Sequence, residues 1–201
     1  MNKFPRSAYV HIPFCHRRCF YCDFAVIPLG NKVETLQGYG SKTVKEYLHF
    51  LYKEILSIKH KSSLSTIYVG GGTPSILDPQ QIKQLIDLFK ENYGVDYGAE
   101  ITMEVDPASF NLDDLHGFIN AGINRFSLGV QSFNNQILQK SGRRHLREDA
   151  EKSCLWLKKV YSAGLIKSWS LDLIQNLPLS GLREWKEDLK KAITFSPPHI
   201  S

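Results

Sequence analysis

The sequence of 201 residues contains no long hydrophobic run. Its longest uncharged, apolar-leaning stretches, such as residues 20–29, are interrupted by Asp or Pro and fall far short of the roughly 20 residues that cross a bilayer. Residues 1–8 also lack the apolar segment and the small-residue cleavage site of a signal peptide. We therefore predict a cytoplasmic protein without a transmembrane segment.

Cysteine is scarce, and its placement does not suit a disulfide framework. Of the four cysteines, Cys15, Cys19 and Cys22 lie within one short segment, whereas Cys154 stands alone in a helical pattern. The composition, with 42% hydrophobic and 22% charged residues, excludes coiled-coil and disordered classes and indicates one compact domain with a continuous core. We expect Cys154 to lie in that core, where a free thiol behaves as a small hydrophobe.

The chain has little excess charge of either sign. There are 25 Lys and Arg against 20 Asp and Glu, which gives a net charge of +5. These charges are not concentrated in one stripe of the sequence, as they are in many proteins that bind nucleic acid. We therefore expect no nucleic-acid partner.

Short β-branched or aromatic runs alternate along the chain with longer amphipathic segments. This alternation predicts strand–helix units around a parallel sheet, an α/β fold. The predicted strands are residues 8–12, 66–69, 100–105, 125–130 and 168–173. The predicted helices are residues 43–59, 79–92, 112–121, 148–163 and 182–195. Five units are visible, and residues 30–40 form the loosest segment, a predicted loop before the first helix.

The last residues predict a sixth strand. Residues 196–201 leave the last helix, turn at two prolines and begin another β-type run. A parallel sheet that stopped there would expose unpaired backbone groups at its edge. We therefore expect a partial (β/α) barrel that occupies residues 1–201, truncated at the start of its sixth strand and belonging to something longer.

Each predicted strand is followed by polar or glycine-rich residues. The strand ends read, in order, His-Ile-Pro-Phe-Cys, Gly-Gly-Gly-Thr-Pro, Glu-Val-Asp-Pro, Gly-Val-Gln-Ser-Phe and Asp-Leu-Ile-Gln-Asn-Leu-Pro. In parallel α/β folds ligand sites gather at the carboxyl ends of the strands. We expect these segments to form one shared site.

The cysteine spacing CxxxCxxC predicts a metal site, because it brings three soft ligands onto one loop directly after the first strand. A structural zinc ion would need a fourth Cys or His at a compatible spacing, and His11 and His16 are near enough to be considered. A four-iron cluster held by three thiolates leaves one iron open to a cofactor or substrate. Both alternatives remain open at this point.

The cysteine spacing, together with Gly-Gly-Gly-Thr-Pro after the second strand, resembles the radical S-adenosylmethionine (radical SAM) superfamily. Glycines let the backbone approach a ligand closely, and the Gly-Lys-Ser/Thr ending of a phosphate loop is absent from this run. The resemblance implies a [4Fe-4S] cluster on Cys15, Cys19 and Cys22, and S-adenosylmethionine bound to the open iron. In that family an electron from the cluster cleaves the sulfonium to methionine and a 5′-deoxyadenosyl radical.

The order of the remaining motifs resembles the coproporphyrinogen III oxidase-like branch of this superfamily, over essentially the whole chain. That branch contains HemW-type heme chaperones and oxygen-independent coproporphyrinogen III dehydrogenases of porphyrin biosynthesis. The dehydrogenases carry a further cysteine two residues after the third, where this sequence has Phe24, so the chaperone group is favoured. A non-catalytic protein that binds heme or the cluster is the alternative from another class.

The resemblance also implies cofactor contacts and partners. Tyr9 matches a tyrosine beside the cofactor, and Gly71 and Glu104 match contacts to a first S-adenosylmethionine. Positions that touch a second molecule of the same cofactor in the oxidase match Gly72, Thr73, Gln131, Arg143 and Asp172. A heme or porphyrin ligand, a heme-accepting protein and an electron donor are implied as partners, and no residue is assigned to catalysis itself.

One position departs from the branch pattern. A segment that usually reads Tyr-Gly-Leu-Pro is Gln175-Asn176-Leu-Pro in this sequence. Losing that glycine predicts a change of backbone geometry beside Asp172. His145, in Gly-Arg-Arg-His, is expected to belong to its loop rather than to a metal.

Overall fold

The computed structural model describes residues 5–30, 39–58 and 62–201. In these residues a parallel six-stranded sheet has the order β1-β4-β5-β6-β7-β8, and a separate short parallel pair joins β2 to β3. The strands are β1 (Ser7–Ile12), β2 (Phe14–Cys15), β3 (Ile27–Pro28), β4 (Leu64–Gly71), β5 (Val95–Val105), β6 (Arg125–Gln131), β7 (Ser168–Leu173) and β8 (His199–Ile200). All five predicted strands and the sixth, β8, are confirmed.

Helices follow the strands of the large sheet. They are α1 (Tyr39–Ser57), α2 (Pro79–Asn92), α3 (Leu112–Ala121), α4 (Asn135–Lys140), α5 (Arg147–Ser162) and α6 (Leu182–Thr194). In the described ranges none of them is both long enough and apolar enough to cross a membrane. The alternation of helices with parallel strands confirms the predicted α/β class.

Local capping explains why α2 and α3 begin and end where the sequence predicts. Asp78 and Asn111 accept hydrogen bonds from the free backbone N–H groups at the starts of α2 and α3, respectively. Gly122 ends α3 with a φ of 109°, a left-handed conformation that glycine adopts without steric cost. The residues that set these helix ends therefore lie next to them in the sequence.

Three features differ from the prediction. Helix α1 begins earlier than expected, and most of the predicted loop at residues 30–40 lies outside the described residues. Helix α4 was not predicted, because its six residues are too few to show a helical period. The β2–β3 pair was also missed, since two-residue strands carry no alternation that a sequence pattern could reveal.

The core lies between the large sheet and the helices. Trp169, Phe118 and Phe126 are among its largest fully buried side chains, and Cys154 is also fully buried, as predicted. The central strands β6 and β7 leave no residue exposed, which is typical of parallel sheets covered by helices. This packing fixes the strands, so that their carboxyl ends form a rigid platform.

Candidate functional site

A cavity of about 730 Å³ opens at the carboxyl edge of the large sheet. The ends of four neighbouring strands, β4 to β7, and the segment of residues 15–22, here called the cysteine loop, contribute to its wall. The predicted site residues that line it are Cys15, Cys19, Cys22, Gly71, Gly72, Thr73, Glu104, Gln131, Arg143 and Asp172. The fold therefore brings the predicted strand-end residues to one cavity.

Backbone hydrogen bonds hold the cysteine loop. Leu29 N donates to Cys15 O at 2.8 Å, Cys22 N donates to Cys19 O at 3.2 Å, and Phe20 N donates to Ser141 O at 3.0 Å. The three cysteines are free thiols of intermediate exposure. The loop is thus tied to β3 on one side and to the α4–α5 connection on the other, and its thiols border the cavity.

The donor set of the cysteine loop suits an iron–sulfur cluster, because thiolates are the usual protein ligands of such clusters. In the part of the chain that the structure describes, no three His, Cys, Asp or Glu side chains converge as the ligands of one ion would. His11 contacts Tyr9 and the carbonyl of Ala25 instead, and His16 Nδ1 lies 3.2 Å from Gly30 O. Because a four-iron cluster takes each thiolate on a different iron, its three sulfurs need not meet at one point.

The glycine turn after β4 presses against the cysteine loop. Gly71 has a φ of 118°, and Thr73 N donates to Phe14 O at 2.7 Å. The Thr73 hydroxyl donates to Cys15 Sγ at 3.4 Å. A Cβ atom on Gly72 would lie 2.6 Å from Phe14 O and 3.0 Å from Cys15 Sγ. Glycine at position 72 is therefore required for this close backbone approach.

Replacing Gly72 with alanine will reduce cluster assembly. The added methyl group meets backbone on one side and the ligand sulfur on the other, and relieving such overpacking costs about 1–3 kcal/mol. Iron and sulfide per chain after anaerobic reconstitution measure the loss. Gly181→Ala is the control, because its new Cβ would meet only the far end of the flexible Glu184 side chain. Equal iron content in the two variants would contradict the prediction.

Two partly buried carboxylates stand at the ends of β5 and β7, on either side of β6. Glu104 accepts hydrogen bonds from the Tyr68 hydroxyl at 2.8 Å and from Gly71 N at 3.0 Å. Asp172 accepts one from the Ser127 hydroxyl at 2.7 Å. Burial raises the pKa of both carboxyl groups, although these hydrogen bonds oppose the rise. Like-charged groups at one cavity suit a cationic or hydroxyl-rich ligand, because either kind of partner offsets their burial.

The side chain of Arg143 is held by contacts with other residues of the protein. Its guanidinium forms an ion pair with Asp106, donates to Gly129 O at 2.6 Å and approaches Cys19 Sγ at 3.8 Å. Burial would raise the pKa of Asp106, but the positive charge of Arg143 holds it below its usual value. The carboxylate that Arg143 clamps in the structure is therefore Asp106. Sequence reasoning quoted the Glu-Val-Asp-Pro motif but gave Asp106 no role.

His145 lies in the loop before α5 and contacts Arg143 and the backbone of β6. Its Nε2 lies 3.0 Å from Val130 O, and its Nδ1 lies 3.2 Å from Arg143 Nη2. Since a carbonyl accepts and a guanidinium donates, the imidazole is neutral, with its proton on Nε2. Burial and the Arg143 charge lower the pKa of His145 to about 4.

His145 will make the chain less stable in mild acid. Its folded-state pKa of about 4 lies below the usual 6.5, so the unfolded chain takes up the proton first as the pH falls. This contribution is present above pH 6.5 and is lost between 6.5 and 4. We expect the free energy of unfolding to fall by about 2 kcal/mol more in the wild type than in His145→Gln between pH 7 and pH 5. Denaturant titration of both apoproteins measures it, and parallel pH profiles would contradict it.

Three further positions differ in outcome. Tyr9 lies in the middle of β1 rather than at its end, is 60% exposed and is absent from the cavity wall; its hydroxyl lies 3.0 Å from His11 Nδ1. Gln131 does line the cavity, at a bulge in β6 where its φ is 68°. Asn176 has a φ of 61°, a left-handed conformation that asparagine tolerates better than most residues. A left-handed turn is therefore present near Asp172 although the sequence lacks the glycine of the branch pattern.

Ser127 and Tyr21 were missed by the sequence analysis. Both line the cavity, and the Ser127 hydroxyl lies 2.9 Å from that of Ser170 on β7. The register of the parallel sheet explains this contact, because it pairs these two serines directly. A serine inside an apolar strand carries no distinguishing signal, whereas Tyr21 could have been noticed from its place between two cysteines.

Comparison with known proteins agrees with this geometry. The sequence profile of the Radical SAM superfamily matches residues 9–173. A Synechocystis sp. protein named heme chaperone HemW is 40% identical over 198 residues, which are 98% of this chain and 46% of that protein. A Salmonella typhimurium protein named oxygen-independent coproporphyrinogen III oxidase is 34% identical over 203 residues, covering 98% of this chain and 41% of the other.

A solved structure shares the fold. The radical SAM enzyme coproporphyrinogen III oxidase (HemN) from Escherichia coli superimposes with a TM-score of 0.80 at 31% identity, over 98% of this chain and 44% of that one. The chain thus spans less than half the length of each of these three relatives. The six-stranded sheet corresponds to part of the larger fold of that structure.

Proposed function

Because the chain belongs to the radical SAM superfamily, we propose that Cys15, Cys19 and Cys22 hold a [4Fe-4S] cluster and that the adjoining cavity binds S-adenosylmethionine. The observation that carries the proposal is that the three thiols and the carboxylates of Glu104 and Asp172 border one cavity. Thiolates are the usual protein ligands of such clusters. A cavity of about 730 Å³ is within the range of small-molecule sites.

A [4Fe-4S] cluster held by Cys15, Cys19 and Cys22 would supply the electron that cleaves S-adenosylmethionine. The chain's own residues would position and shield this cluster. Thr73 donates a hydrogen bond to Cys15 Sγ, and Glu104 accepts from Gly71 N, so the glycine turn is held between the cysteine loop and β5. Glu104 and Asp172 accept hydrogen bonds from the cofactor, and Gln131 offers both a donor and an acceptor.

The contact of Tyr9 with the cofactor stays a prediction with weaker support. Tyr9 approaches the site through His11, whose Nε2 lies 3.1 Å from Ala25 O beyond the cysteine loop. A Cβ on Gly71 would lie 2.6 Å from His11 Nδ1, so this pair packs directly beneath the glycine turn. Through His11, Tyr9 therefore also supports the glycine turn.

We infer further that this protein handles heme, as the names of its HemW relatives state for them. Phe24 supports this reading, because the resembling oxidases have a cysteine at that position. A heme-accepting protein and an electron donor are the partners that such a role requires. A cytoplasmic location suits four cysteines that are all unpaired thiols.

Oxygen-independent oxidation of coproporphyrinogen III is the second candidate function. The Escherichia coli coproporphyrinogen III oxidase structure, with a TM-score of 0.80, supports it. A protein that binds the cluster and heme without generating a radical is the alternative of another class. The chaperone function and the oxidase function share the cysteines and the cavity and differ in the ligand that the protein handles.

Anaerobic reconstitution separates these functions. The protein is loaded with iron and sulfide, reduced with dithionite, and supplied with S-adenosylmethionine and, separately, with heme or coproporphyrinogen III. Heme uptake without porphyrinogen consumption supports the chaperone function, and decarboxylated porphyrinogen supports the oxidase. Release of 5′-deoxyadenosine establishes radical generation, whereas its absence in a protein that binds both cluster and heme supports the carrier. A protein that assembles no cluster contradicts the whole proposal.

A further inference from the structure

The ion pair of Arg143 and Asp106 lies beside Cys19, a proposed ligand of the cluster, and is largely shielded from solvent. Arg143 Nη2 contacts Asp106, while Nη1 approaches Cys19 Sγ at 3.8 Å. The side chains of Arg143 and Asp106 are only 11% and 21% exposed. We propose that Arg143 sets the reduction potential of the cluster through its charge beside Cys19, and that Asp106 limits this effect as the counter-charge. The inference rests on the cluster of the proposed function.

The guanidinium of Arg143 is held by three contacts around its Nη2 atom. Its Nη2 donates to Asp106 and to Gly129 O, and it also lies 3.2 Å from His145 Nδ1. These three acceptors come from the end of β5, from β6 and from the loop before α5. With Nη2 held in this way, the planar guanidinium leaves Nη1 directed at Cys19 Sγ.

The loop that carries Arg143 is joined to the cysteine loop. Arg17 donates to Arg143 O, and Phe20 N donates to Ser141 O at 3.0 Å. A Cβ on Gly142 would lie 3.2 Å from Phe20 N. The distance between Arg143 and Cys19 is therefore fixed by backbone contacts on both sides.

Among the described residues, the buried Nε of Arg143 has no hydrogen-bond partner. Leaving a buried donor unpaired is unfavourable, and a positive charge beside Cys19 Sγ is what the arginine supplies at that cost. Arginine suits that task because its guanidinium keeps its proton in proteins.

Reduction adds one negative charge to the cluster and its thiolates. A positive charge a few ångströms from a ligating sulfur stabilises the reduced form and raises the potential, and partial burial strengthens the effect. Asp106 opposes it, because its negative charge lies on the far side of the same guanidinium. Arg143→Gln and Asp106→Asn must therefore shift the potential in opposite directions.

The opposite shifts expected for the two variants test the proposed role of Arg143. Wild type, Arg143→Gln and Asp106→Asn are reconstituted anaerobically, and the reduced cluster is followed by electron paramagnetic resonance during a redox titration. At the wild-type midpoint, the ratio of reduced to oxidised cluster falls about tenfold in Arg143→Gln, a shift of about 59 mV for one electron. The ratio rises in Asp106→Asn. Arg147→Gln is the matched control, since it removes an arginine that is paired with Glu151 on the exposed face of α5, and its midpoint stays at the wild-type value.

The outcomes are distinct. Opposite shifts in the two variants support the inference, and shifts in the same direction, or none beyond Arg147→Gln, overturn it. If Arg143→Gln assembles no cluster, Asp106→Asn decides alone: a more positive midpoint supports the inference, and an unchanged or more negative one overturns it. A wild-type protein that assembles no cluster contradicts the proposed function itself, whereas an intact cluster with unmoved potentials contradicts only the role of Arg143.

Discussion

Replacing any one of Cys15, Cys19 or Cys22 with serine will abolish assembly of the iron–sulfur cluster. All three thiols border the same cavity, and a four-iron cluster with only three protein ligands has none in reserve. Altering a group that merely supports a metal ligand costs roughly 10–100-fold in affinity, and we expect losing a ligand to cost at least as much. Iron, sulfide and the visible absorption of each reconstituted variant measure the loss.

Cys154→Ala provides the control for the cysteine variants. This residue is fully buried in α5, away from the cavity wall, so its removal changes core packing and leaves the cluster content at the wild-type level. Circular dichroism of the apoproteins checks that each serine variant is folded. A serine variant that is folded and binds wild-type amounts of iron and sulfide would contradict the assignment of that cysteine.

Glu104→Gln will weaken binding of S-adenosylmethionine by roughly 10–100-fold, because a hydrogen bond to a charged group contributes about 1.5–3 kcal/mol. The amide keeps the shape of the side chain but removes its negative charge and puts a donor where an oxygen accepted from Gly71 N or the Tyr68 hydroxyl. Anaerobic equilibrium dialysis with reconstituted protein measures the affinity.

Glu100→Gln is the matched control for this variant. Glu100 lies four residues earlier on the same strand and is exposed, so the same change of charge there leaves the affinity unaltered. Equal affinities of the two variants for S-adenosylmethionine would contradict the role of Glu104. A reduced iron content in Glu104→Gln would instead place Glu104 in support of the glycine turn, through its bond to Gly71 N.

Much of the fold could be predicted because its signals are local. The capping residues Asp78 and Asn111 and the left-handed Gly122 mark helix ends within a few residues of sequence. The buried strands β6 and β7 stand out as short apolar runs between amphipathic segments. Helix α4 and the β2–β3 pair could not be predicted in this way, because such short elements exist only through the neighbours that they contact.

The cysteines and glycines of the candidate site could be predicted from the sequence better than the residues around them. The cysteine spacing and the glycine run are visible in the chain, and the structure brings both to one cavity. Tyr9 was expected beside the cofactor because it matches a tyrosine of the branch that the sequence resembles. In the structure Tyr9 lies within β1, contacts His11 and is not part of the cavity wall, an arrangement that depends on how the strands pack.

The sequence by itself determined the alternating α/β order, the clustering of three cysteines and the superfamily, because periodicity and short motifs can be read directly along the chain. Only the tertiary structure decided that Arg143 pairs with Asp106 beside Cys19 and that Ser127 serves Asp172. These residues lie on different elements, and their distances depend on how parallel strands align and how loops cross the sheet edge. Such contacts follow from packing of the whole chain, which no local pattern of residues records.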